Sequence, residues 1–166
     1  MSGSVILVGM PGSGKSTLGV LLAKCLRMQF TDTDLLIQAS TGETLQDTLE
    51  SRGYLELRRI EEEVLLREDF SNRVIATGGS VVYSEAGMQR LRQFGQVVFL
   101  DVPLETLMQR VTDYEQRGVA RRPGQSFASL FDERRELYLR YSDVTVDCRN
   151  LNHEQTLAAV RSQLRN

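Results

Sequence analysis

Gly9-x-x-x-x-Gly14-Lys15-Ser16, lying between an apolar run at residues 4–8 and an apolar helical run at residues 18–26, is the stretch whose chemistry is most sharply defined. Glycines at this spacing let successive backbone N–H groups turn into one concavity, and the following helix adds the positive end of its dipole. That is a phosphate cradle of the Walker A type, in the strand-before, helix-after context it requires. Gly12, Ser13 and Gly14 are expected to supply the turn around the phosphates. Lys15 is expected to bridge the β- and γ-phosphates, Ser16 to ligate Mg²⁺ through its hydroxyl, and Thr17 to help at the α-phosphate. The implied ligand is a nucleoside triphosphate.

Two carboxylates follow in Phe30-Thr31-Asp32-Thr33-Asp34. In extended chain, positions i and i+2 point to one side, so Asp32 and Asp34 should share a face beside the cradle. Asp32 then suits Mg²⁺, directly or through water, and Asp34 suits an attacking hydroxyl whose proton it would take. Equally, one of the two could merely cap the following helix. Arg58-Arg59 ahead of Glu61-Glu62-Glu63 pair at helical spacing, which by itself favours a solvated charged face. Gly78-Gly79-Ser80 closes another apolar run, either as an ordinary turn or as a place where backbone N–H groups meet a ligand without a Cβ in the way. Residues 112–126, with two glycines, a proline and three arginines, read as a mobile lid able to bring an arginine over a phosphoryl group, or as a plain basic loop. His153, near a helix start, reads as a surface residue.

These residues need elements to hold them. Short Val-, Ile- or Phe-rich runs recur at residues 4–8, 28–31, 73–77, 96–100 and 143–146, separated by longer helical patterns. That alternation is the mark of a parallel α/β sheet whose sites lie at the strands' C-terminal ends. Runs such as VILV and VVFL lack alternation because both faces are buried. Leu18, Leu21, Leu22 and Cys25 mark one helical face; Leu157, Val160 and Leu164 mark another, with Asn152 and Gln155 as a capping pair. A helical stretch at 44–69 is expected to bend at Gly53.

With 166 residues, 41% hydrophobic and 25% charged, the chain suits one globular domain with a single core. A net charge of −2 offers no broad attraction to nucleic acid or anionic membrane, so the expected partners are small molecules; a monomer is expected, although nothing in the sequence reports oligomeric state. Cys25 and Cys148 lack metal-ligand spacing and read as two core thiols of a reduced cytoplasmic protein. The opening residues have neither the basic segment nor the apolar length of a signal peptide or membrane span.

Together, GMPGSGKSTLG, Asp32-Thr33-Asp34, the 53–61 segment with Arg58, IATGG at 75–79, Arg122-Pro123 and Arg134-x-x-Leu137-Tyr138 resemble the shikimate kinase family, within the nucleoside-monophosphate-kinase-like P-loop proteins. The resemblance implies a three-layer α/β/α fold with five parallel strands in the order 2-3-1-4-5, an acceptor-binding segment at about 33–61 and a lid at about 112–126. It implies ATP and Mg²⁺ as cofactors, and phosphorylation of shikimate to shikimate 3-phosphate. By similarity Asp34 contacts ring hydroxyls, Arg58 and Arg134 clamp the carboxylate, and Gly78, Gly79 and Ser80 line the acceptor. Arg110 would lie near adenine, and Arg122 would reach the phosphates. Two arginines and an aspartate would together select an anionic polyol.

The chain departs from the family pattern on the acceptor side and in the lid. Ser80 replaces the third glycine of a triplet, Tyr54 a glutamate and Leu57 a phenylalanine, while Arg-Pro-Leu-Leu becomes Arg122-Pro123-Gly124-Gln125. These changes leave open whether Arg121 or Arg122 is the lid arginine. They also keep in view a relative acting on another small acceptor, and a nucleotide-binding regulatory module without transfer activity. A GTPase switch is disfavoured by the lack of an Asn-Lys-x-Asp motif.

Overall fold

The computed structural model describes residues 3–113 and 117–165. In it, β1 (Ser4–Val8), β2 (Gln29–Asp32), β3 (Arg73–Ala76), β4 (Gly95–Asp101) and β5 (Val144–Asp147) form one sheet in the order β2-β3-β1-β4-β5. Every pairing is parallel. All five strands lie where the sequence pattern puts them, with ends shifted by at most one residue. β1 sits at the centre with all five residues buried, which is why its sequence shows no polar alternation.

Helices cover the sheet in two layers. α1 (Lys15–Leu26) packs with α8 (His153–Gln163), and α4 (Tyr54–Arg67) packs with α5 (Glu85–Phe94). α2 (Thr33–Thr41), α3 (Leu45–Arg52) and α4 form a helical insertion between β2 and β3 with a small apolar core of its own around Ile37, Leu57, Ile60 and Val64. Gly53 separates α3 from α4 at a φ of 83°, the break anticipated in the sequence. α6 (Leu104–Arg110) follows β4, and α7 (Phe127–Tyr141) leads into β5. α8 begins with the reciprocal Asn152–Gln155 capping box.

One helical face differs from its sequence expectation. Leu18, Gly19, Leu22 and Ala23 are buried on α1, whereas Leu21 and Cys25 are exposed. The cause is Gly19, whose missing side chain lets α1 close on Phe30: a Cβ there would stand 2.5 Å from Phe30 Cε2. The helix is drawn in along that line, which turns Leu21 and Cys25 outward. Of the two expected core thiols, only Cys148 is buried.

The helical insertion is tied to the sheet at the strand ends. Fully buried Thr33 accepts a hydrogen bond from the Gly78 backbone N–H at 2.9 Å, joining the first residue of α2 to the chain leaving β3. Thr33→Val keeps the shape but strands that buried donor, so we expect a stability loss of about 1–3 kcal/mol. Urea denaturation measures it directly; an unchanged midpoint and slope would mean that the bond contributes nothing.

Candidate active site

The turn between β1 and α1 passes through Gly14, whose left-handed φ of 91° makes it an N-cap without any side-chain acceptor. The first N–H groups of α1 therefore have no capping side chain and face the strand ends. Lys15 is buried beneath them, its Nζ donating to the carbonyl oxygens of Gly9 at 2.7 Å and Met10 at 2.9 Å. Ser16 and Thr17 are exposed at the mouth of the cradle, and Ser16 Oγ donates to Asp32 Oδ2 at 2.7 Å.

Asp32 also caps α2, accepting from the Asp34 N–H on Oδ1 at 3.0 Å. Capping and site roles thus coexist in one side chain. The expectation that strand alternation puts Asp32 and Asp34 on one face needs correction: β2 stops at Asp32, and Asp34 is carried round by the first turn of α2. Both nevertheless line one cavity of about 360 Å³ together with Lys15, Glu61, Gly78 and Arg134.

Gly78 and Gly79 leave room for the ends of charged side chains. A Cβ on Gly78 would lie 2.6 Å from Glu61 Oε1 and 2.8 Å from Asp34 Oδ1, and one on Gly79 would lie 2.5 Å from Arg134 Nη1. Ser80, which also lines the cavity, turns its hydroxyl onto Glu61 Oε2.

The charge run at 58–63 splits by helical period, where the sequence favoured a wholly solvated face. Arg59 is exposed, paired with Glu56 at 2.6 Å and with Glu63. Glu61, three residues beyond Arg58, is only 3% exposed. Half-buried Arg58 lies against two rings, its Cζ 3.6 Å from the Tyr83 centroid and 5.1 Å from that of Tyr54. Arg134 is 1% exposed and donates from Nη2 to the Ala120 carbonyl at 2.7 Å.

Of the expected lid at 112–126, Tyr114, Glu115 and Gln116 lie outside the described residues. Arg117, Gly118, Val119 and Ala120 border the cavity. Arg122 points elsewhere, its Nη2 on Glu133 Oε2 at 3.0 Å, and Arg121 Nη1 donates to the Gln125 carbonyl at 2.6 Å. Arg110 donates to the Gly12 carbonyl at 3.2 Å and lines a smaller pocket beside Gly14 with exposed His153. Sequence reading passed over Glu61, Tyr83 and Glu133 as site residues. Only Glu61 carried a signal, its i+3 spacing from Arg58.

A family model described as shikimate kinase matches residues 11–165. The chain is similar to the shikimate kinase of Aquifex aeolicus (strain VF5), 35% identical over 145 residues that cover 86% of this chain and 84% of that one. It is also similar to the shikimate kinase of Sulfurihydrogenibium sp. (strain YO3AOP1), 30% identical over 165 residues and 98% of each chain. Its fold matches that of shikimate kinase from Acinetobacter baumannii solved in complex with shikimate, with a TM-score of 0.86 and 31% identity, over 99% of this chain and 93% of that one.

Burial dominates the site's electrostatics. It lowers Lys15 to about 8, opposed by the charges of Asp34 and Asp32, and it raises Asp34 to about 6, reinforced by Asp32. Glu61 is raised to about 7 for the same reason, against the pull of its Ser80 hydrogen bond and of Arg134 and Arg58. Both carboxyls hold protons more tightly in the fold than in the unfolded chain. Their contribution is therefore fully present at low pH and is lost as pH rises through about 6 and about 7. Lys15 acts oppositely, adding stability as pH rises from about 8 towards 10.5. We expect melting temperatures of the ligand-free protein to fall between pH 4.5 and 7, and to fall less steeply in Glu61→Gln. Equal slopes for the two proteins across that interval would remove Glu61 as the titrating group.

Proposed function

The chain belongs to the shikimate kinase family, and on that premise we propose that it transfers the γ-phosphoryl group of ATP to a ring hydroxyl of shikimate, giving shikimate 3-phosphate and ADP. The observation that carries the reading is one cavity in which a phosphate cradle, a half-buried aspartate and a buried arginine meet: Lys15, Asp34 and Arg134. A cradle alone would bind nucleotide. The other two groups give it an anionic hydroxyl acceptor.

In this reading each site residue has a role. Lys15, now resting on the Gly9 and Met10 carbonyls, exchanges them for the β- and γ-phosphates, while Gly12, Ser13, Gly14 and Thr17 surround the phosphate chain. Asp34, with its carboxyl near 6, is mostly ionised at neutral pH yet basic enough to accept the attacking hydroxyl's proton. Arg58 and Arg134 take the acceptor's carboxylate, and Gly78, Gly79 and Ser80 form the wall beside it. Arg110 lies along the base, and Arg122 leaves Glu133 to reach the phosphates as the lid closes over residues 112–126.

Mg²⁺ fits the residues present. Ser16 Oγ and Asp32 Oδ2, two hard oxygens 2.7 Å apart at the cradle mouth, would hold it. Among the described residues no group of three or more His, Cys, Asp or Glu forms a metal cage, as suits an ion that completes its shell with phosphate and water. Bound there, it would neutralise phosphate charge.

The Ser80 hydroxyl is engaged by Glu61, which supports shikimate over an acceptor pocket rebuilt around a new hydroxyl. The gathering of Lys15, Ser16, Asp32 and Asp34 supports an enzyme over an inactive module. We read it as a cytoplasmic monomer; no described helix is long and apolar enough to cross a membrane.

An ADP-release assay with ATP and Mg²⁺ tests the proposal, comparing shikimate with other hydroxy acids and nucleoside monophosphates. Shikimate-dependent turnover is expected; its absence with ATP binding intact would overturn the acceptor assignment. Lys15→Ala should abolish turnover. Asp34→Asn should lower kcat by about 10²–10⁴-fold, with nucleotide affinity within a few fold. Equal loss of both would make Asp34 a structural or metal-supporting residue.

A further inference from the structure

Outside the lining of the cavity is a contact that the steps above leave unused: Arg58 lies on the face of Tyr83, with Cζ 3.6 Å from the ring centroid. Tyr54 approaches the same guanidinium at 5.1 Å. Among the described residues no hydrogen bond or ion pair reaches Arg58, and its Nε is buried without an acceptor. Tyr83 is itself held, its hydroxyl donating to Glu133 Oε1 at 2.5 Å. Arg134 stands 5.5 Å from the centroid of the same ring, so one ring lies beside both arginines.

The way Arg58 is held matters. A carboxylate partner would occupy the in-plane N–H donors of the guanidinium, which are the groups needed to grip a ligand's carboxylate in a bidentate fork. An aromatic face attracts the cation from above the plane and leaves those donors open. The ring thus fixes the charge without using its hydrogen bonds.

We propose that Tyr83 is a positioning residue that sets acceptor specificity, holding Arg58 by its face so that the guanidinium's edge meets the acceptor's carboxylate. The proposal rests on the reading above that Arg58 binds that carboxylate. Glu133 is the anchor: one oxygen takes the Tyr83 hydroxyl, and the other takes Arg122 at 3.0 Å and Gln125 at 3.3 Å. The ring supplies the hold on Arg58, and the Glu133 bond sets its orientation.

The test compares Tyr83→Leu with Tyr83→Phe, which keeps the ring and loses only the hydroxyl. The first readout needs no acceptor: the side-chain Nε–H resonance of Arg58, identified by its loss in Arg58→Gln, should be ring-shifted in wild type and Tyr83→Phe. In Tyr83→Leu it should move to the position of an unstacked arginine. The second readout is kinetic. Tyr83→Leu should raise KM for shikimate about tenfold, a typical weight for a partly desolvated cation–π contact, with kcat and the KM for ATP within about twofold. Tyr83→Phe, which keeps the ring and loses only the Glu133 bond, should lie closer to wild type than to Tyr83→Leu, and the methyl ester of shikimate should lose the difference between wild type and Tyr83→Leu.

An Arg58 resonance unmoved in Tyr83→Leu would overturn the proposal, as would a penalty that persists in full on the ester or falls equally on ATP. A wild-type enzyme without shikimate-dependent turnover would instead overturn the function reading, while the resonance would still decide whether Tyr83 holds Arg58.

Discussion

A charge can be buried only beside its opposite, and the cavity at the strand ends satisfies that constraint with four side chains from four helices. Lys15 comes from α1, Asp34 from α2, Glu61 from α4 and Arg134 from α7. Two are cationic and two are acidic, so the corner is close to neutral overall although each group is poorly solvated. The balance is incomplete. Burial outweighs attraction for Lys15, Asp34 and Glu61 alike, which leaves Lys15 lowered and both carboxyls raised. A cluster in that condition gains when a ligand brings charges of its own: under the proposed function, phosphates would relieve Lys15 and a hydroxyl proton would relieve Asp34. The β2–β3 insertion, the glycine pair after β3 and the length of α7 all serve to bring these four groups together.

The sheet was legible because burial on both faces removes polar alternation, so each strand appears as a short unbroken apolar run. The cradle was legible because its chemistry lies within eight consecutive residues. Contacts between distant elements left no such trace. Tyr83 and Glu133 are fifty residues apart, and neither spacing nor composition pairs them. Glu61 was concealed differently, within a charge run whose outer members, Arg59 and Glu63, do form a solvated pair. Asp34 was assigned to the right place for the wrong local reason, since a helix turn and not strand pleating carries it there. The face of α1 was misjudged because a leucine at position 21 outweighs a glycine at 19 in any hydrophobic pattern, although the glycine determines how closely the helix docks.

The departures from the family pattern acquire physical content in this structure. Ser80 adds a hydroxyl where a glycine is usual, and Glu61 accepts from it. Tyr54 supplies a second ring beside Arg58. In the altered lid sequence Gln125 is buried, accepting from the Arg122 N–H and donating to Glu133. Tyr54 and Gln125 are therefore the two ends of one chain of contacts, Tyr54–Arg58–Tyr83–Glu133–Gln125. Ser80 stands outside that chain, on Glu61, and the cradle keeps the family sequence.

The strand order has a consequence for the chain as it leaves the ribosome. β1 lies at the centre of the sheet and emerges before the other strands, yet its neighbours are β3, in register Val5 with Val74, and β4, in register Ser4 with Gly95. At a synthesis rate of about 5–20 residues per second, VILV waits roughly 4–14 s for the first of these partners. Throughout that interval a four-residue apolar segment of high β-propensity has no strand to pair with, because β2 does not adjoin it in the sheet. The strand that carries the phosphate cradle is thus the one most dependent on chaperones or on rapid packing of α1 during translation.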